Sequence, residues 1–165
     1  NIMALKSGLQ LYTYQLTGTL ATPVLYNLFN YVRDESVDMD RTEIDASSRA
    51  SVTFRQFVPG LANGNVETQI MHLPGDPIFD AIQSAFFLNT TLLMAFVDGP
   101  LQAGDERHGE TGTISVTGLW GCFYVTNFTE QRALEDAQVH DIRFSPTLEP
   151  VTNAVPDYKT VSVAL

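Results

Sequence analysis

Lysine is nearly absent from this chain: Lys6 and Lys159 are the only two in 165 residues. With seven scattered arginines, basic residues total 9 against 19 acids, a formal net charge of −10. Holding nucleic acid through its phosphates takes clustered Lys and Arg, so sequence-specific DNA or RNA binding is not expected. Cysteine is scarcer still. Cys122 stands alone, so no intrachain disulfide forms. Apolar runs are short, such as Leu92 to Val97, far below the roughly 20 residues of a membrane span. Neither membrane insertion nor a secretory leader is expected, since no basic region precedes an apolar stretch at the N-terminus. The acceptor patterns at Asn89-Thr90-Thr91 and Asn127-Phe128-Thr129 then read as chance.

The constellations of catalysis are missing as well. His72, His108 and His140 have no partner histidine at metal-ligand spacing, and a zinc site needs three or four convergent ligands. His140-Asp141 is the best adjacent pair, yet neighbours on a strand point to opposite faces. There is no G-x-S-x-G elbow and no phosphate-binding glycine loop. Cys122 lies among aromatics, where a thiol is buried and inert rather than reactive. Carboxylate pairs such as Asp34-Glu35 and Glu135-Asp136 read as surface acids. No enzyme, cofactor or metal is expected.

What is present is alternation. Apolar and polar residues exchange every second position through SGLQLYTYQL, the mark of a half-buried strand. After a turn at Thr17 to Pro23, the run VLYNLFNYV reads as strand and continues into RDESVDMDRTEIDASSR. There Val37 and Met39 fall on one face and Ser36, Asp38 and Asp40 on the other. Val52 and Phe54 mark a further strand. Pro59-Gly60 and Asn63-Gly64 are turn pairs, which predicts a hairpin between that strand and one carrying Val66, Thr68, Ile70 and His72.

One helix interrupts the strands. Asp76 is suited to cap it and Pro77 to its first position, where a missing N–H costs nothing. Ile78, Ile82, Ala85 and Phe86 recur at helical spacing, and Asn89 is a stop. At about three turns it is too short to stand alone in water, so this stripe must pack on a sheet. TLLMAFVDGP then reads as a buried strand ending in a turn, and Gln102 to Thr113 as a loop. Ile114 to Asn127 is a long strand in which Gly118 and Gly121 signal a bulge or a close backbone approach. Val139 to Leu148 is another strand, and TVSVAL a short last one. Strands do not alternate with helices, which excludes a doubly wound parallel sheet. The expected fold is a single domain over 1–165, mainly β: an antiparallel sandwich or barrel with one flanking α-helix.

Three stretches together resemble the major tail tube proteins of tailed phages. NYVRDESVDMDRTEIDASSR is similar to their N-x-R-D strand and the acid-rich segment after it, here Glu43, Asp45, Ser47 and Arg49. PGDPIFDAIQSAFFLNTTLLMAFVDGP is similar to their helix, strand and DGP turn. FYVTNFTEQRALEDAQVHDIRFSPT is similar to their V-T-N-F segment and final strand. The pieces run in the family's order from Tyr31 to Thr147. Gln102 to Gly112 and Thr17 to Asn30 depart from its shorter members.

The resemblance implies six subunits in a ring, inner sheets joined around a lumen, and rings stacked into a tube in the virion. Such a chain would be made in the host cytoplasm. Its partners would be further copies of itself, a tape-measure protein, terminator and baseplate proteins, and in some tails a sheath, with DNA passing unbound. Ser36, Asp38 and Asp40 are the candidate lumen lining, because acids repel phosphates; the outer wall is the competing position for that face. Glu43, Asp45, Ser47 and Arg49 are the candidate inter-ring arm. Other readings stay open: a terminator, baseplate ring or secretion tube of the same fold, or a monomeric small-ligand β-barrel.

Overall fold

The computed structural model describes residues 11–47, 55, 57–72, 75–132, 134 and 138–165, with only the backbone described over 57–62. Among these described residues eight strands and one helix follow in order: β1 Tyr12–Gly18, β2 Pro23–Phe29, β3 Val32–Asp45, β4 Phe57–Met71, α1 Pro77–Leu88, β5 Thr91–Val97, β6 Thr113–Gln131, β7 Val139–Thr147 and β8 Asp157–Ala164. The ladders are antiparallel and join one sheet in the order β2-β1-β5-β6-β7-β4-β3, with β8 on the first half of β6. The sheet curls until β1, next to one end, reaches β3 at the other through a side-chain contact: Thr13 of β1 donates to Glu35 of β3 at 2.5 Å. Among the described residues no ladder joins those ends, so the sheet stays open and is not a closed barrel.

Two cores result, one on each face of the central strands. Alternation along β5 sends Met94 and Phe96 into the first and Ala95 and Val97 into the second. The first core holds Phe123, Phe144, Ile70 and Ile142 and is roofed by α1 through Ile78, Phe79, Ile82 and Ala85. Phe86 is half-buried at its edge, stacked on Phe128 at 5.8 Å. The helix is capped as its ends require: Asp76 accepts from Ile78 N–H at 2.9 Å, and Asn89 takes the left-handed conformation at φ 54°.

The second core is built on Tyr12, Tyr14, Leu16 and Trp120 and is closed by the segment that follows β5. Tyr14 donates to Asp105 at 3.0 Å and accepts from Leu101 N–H, while Tyr12 donates to Glu110 and lies under the Arg107 guanidinium, 4.7 Å from its ring centre. Those hydroxyls tie the 102–112 loop to β1.

Three expectations change. The run from Val24 to Asp45 is two strands broken at Asn30-Tyr31, not one. Pro59-Gly60 and Asn63-Gly64 lie inside β4, paired with Glu43 and Met39, and make no turn. Gly64 is there because a Cβ would press on the Met39 thioether and stand 3.0 Å from Asp38 O. Leu148 lies beyond β7 and is half exposed. The strand expected at Val52 and Phe54 lies outside the described residues. Gly118 is a close approach, as the sequence suggests: a Cβ would fall 2.6 Å from Val97 Cα.

Candidate assembly surfaces

The sheet formed by β4, β7 and the end of β6, extended at its edge by β3, has one face on the first core and one polar and exposed. On β4, Val66, Thr68 and Ile70 point into the core; period-two alternation turns Asn65, Glu67 and Gln69 outward. Register carries this across the sheet. Asp34 pairs with Gln69, Ser36 with Glu67, Asp38 with Asn65 and Asp40 with Asn63. Glu67 pairs with Arg143 and Gln69 with Asp141.

Ser36, Asp38 and Asp40 therefore share one exposed polar face with Asp34, which the same period of two along β3 places beside them, and two acids that strand-by-strand reading missed join it: Glu67 and Asp141. Only across-strand register reveals these. Arg143 is bound to Glu67 at 2.6 Å, and Asp141 accepts from Gln69 at 3.2 Å and Gln131 at 2.6 Å. A shallow depression of 460 Å³ between Asp34, Glu67, Asn127 and Arg143 is polar and open. No group of three metal-ligating side chains occurs among the described residues.

The second surface is a projection. β7 leaves β4 at Val66, its last partner being Phe144. Beyond it, Asp38–Asp45 of β3 and Phe57–Asn65 of β4 continue as a two-stranded ribbon, roughly 25 Å long at 3.3 Å per residue. Met39 and Ile44 are 50% and 54% exposed on it. Glu43, Asp45 and Ser47 stand at its exposed outer end. Ser47 N–H donates to Asp45 at 2.9 Å, and the bonds from Ser47 hold the Asp45 carboxyl below its ordinary range. Arg49 lies outside the described residues. At the other end of β3, burial pushes the Glu35 carboxyl up to about 7, with the Thr13 hydrogen bond pulling it back.

No family model and no curated protein matches this chain. Solved structures do. The tail tube of SPP1 superposes with a TM-score of 0.62 at 14% identity, covering 98% of this chain and 80% of that one. The chain has a phage tail tube-like fold. The tail of the gene transfer agent particle, refined with C6 symmetry, matches equally at 0.62 with 11% identity, over 94% of this chain and 99% of that one. A chain of the anti-feeding prophage baseplate matches at 0.52 and 8% identity, over 100% and 98%. At such identities the likeness is one of fold.

Proposed function

We propose that this chain is a structural subunit of a phage-type tail, a tail tube protein that closes into six-membered rings and stacks them around a lumen. The observation that carries the reading is the division of β3 and β4 into a polar face and a bare ribbon on a tail tube-like fold. An acidic wall would repel DNA phosphates and keep the strand moving, so the face of Ser36, Asp38 and Asp40, with Asp34, Glu67 and Asp141, is assigned to the lumen. Two-stranded ribbons are marginal in water unless something covers them, and the ribbon carrying Glu43, Asp45 and Ser47, with Arg49 beyond it, is assigned to the next ring. Among the described residues the outer edge of β3 is unpaired. Open edges invite pairing with another copy, and a closed ring satisfies them and limits lateral growth.

The role is structural, not enzymatic. Its partners are copies of itself and the tail components that meet a tube: a tape-measure protein inside it, terminator and baseplate proteins at its ends, and a sheath in contractile tails. It works in the virion after synthesis in the host cytoplasm.

Negative-stain electron microscopy over a range of concentrations tests this. Hollow tubes of uniform width are expected. Single rings that never stack would favour the second reading, a baseplate or terminator ring, which the likeness to a baseplate chain supports. Particles that stay monomeric at every concentration would count against both.

A further inference from the structure

His72 follows β4 and His140 is the second residue of β7. The two segments are held together by the His72 N–H, which donates to Gln138 C=O at 2.9 Å. Their imidazole rings stand 5.3 Å apart. Phe79, in the first turn of α1, packs edge-on against both, at 4.8 Å and 5.0 Å. Phe128 of β6 closes the far side of His140, also at 5.0 Å. His140 is 2% exposed. The Nδ1 atoms of both rings are buried without a hydrogen-bond partner.

A neutral imidazole tolerates such a box because one nitrogen needs no donor. An imidazolium does not: both ring nitrogens become donors and its charge must be solvated or paired. We propose that this pair is an acid-sensitive latch, holding the first turns of α1 on the sheet while His140 is neutral and releasing them when His140 takes a proton.

The surrounding charges favour release over accommodation. On β6, Glu130 pairs with His140 in register. Its carboxylate is already engaged by Arg132 at 2.7 Å and by Gln138. Arg132 and a charge on His72 oppose an imidazolium. On β7, Asp141 points to the other face and is held by Gln69 and Gln131. From α1, Asp76 is turned back onto its own N–H groups, and Asp80 is exposed. Burial accordingly holds His140 below its ordinary range, with Glu130 pulling the other way. An unfolded chain binds that proton near pH 6.5 and the folded chain only at lower pH. Stability is therefore full above 6.5 and falls as pH drops below it.

The test is the melting temperature of the whole chain from pH 8 to pH 5, for the wild type and for His140→Phe, which fills the box with an uncharged ring. The wild type should lose roughly 3–5 °C for each pH unit below 6.5 until the folded histidine itself titrates, and His140→Phe should lose much less. Equal losses in both proteins would overturn the latch. Hydrogen exchange on the wild type decides independently if the variant does not fold. Amides of Ile78 to Ile82 opening at acid pH before those of β6 and β7 support the latch, and α1 staying protected until the sheet opens overturns it.

Discussion

β4 passes through two environments. From Val66 to Met71 it lies between β3 and β7, and its inward residues Val66 and Ile70 are buried to 0% and 1% exposure. From Phe57 to Asn65 it has β3 alone among the described residues, and Met39 and Ile44 across that ribbon remain about half exposed. Strand follows strand without interruption; what differs is the third strand and the helix above it. Alternation thus records that a face is made to be covered. It does not say whether this chain or another copy supplies the cover.

Four substitutions sharpen that contrast. Gly118→Ala strikes the covered region where β6 crosses β5. Its methyl would meet Val97 Cα at 2.6 Å and Phe96 C at 2.8 Å, and backbone does not yield as a side chain does. A loss of about 3 kcal/mol or more is expected in urea unfolding. Glu35→Gln acts at the seam between β1 and β3. The folded carboxyl is raised from 4.5 to about 7, so stability is undiminished below 4.5 and falls as pH rises through 7. The glutamine variant should be about 1–3 kcal/mol more stable than wild type at pH 8 and equal to it near pH 4, measured by denaturant midpoints. Gly64→Ala, the ribbon's counterpart to Gly118, meets mainly the flexible Met39 thioether and should cost at most about 1 kcal/mol. Ile44→Asp at the bare end should change subunit stability by less than about 0.5 kcal/mol while abolishing stacking in sedimentation, a loss that separates an assembly surface from a core.

Local chemistry made part of this legible from sequence. Asp76, Pro77 and Asn89 bound α1 because capping is decided within a few residues. Ser36, Asp38 and Asp40 fall on one face because the strand period is two. Asn63-Gly64 misled because the same pair serves a tight turn or a close approach, and only the opposing Met39 distinguishes them. Glu67 and Asp141 join the polar face through register across three strands, which no single segment encodes. The seam of Thr13 with Glu35 and the box of His72 with His140 join residues 22 and 68 positions apart. Their distance along the chain hides both until the sheet curls.

In the proposed assembly of this chain the acidic face of β3 and β4 looks inward. A cryo-electron microscopy reconstruction of the assembled particle places each face at a radius. The expected map puts Ser36, Asp38 and Asp40 on the innermost wall and α1 outside it, with the ribbon of one ring seated against the next. A map with those acids on the outer surface, or with α1 lining the lumen, would contradict it.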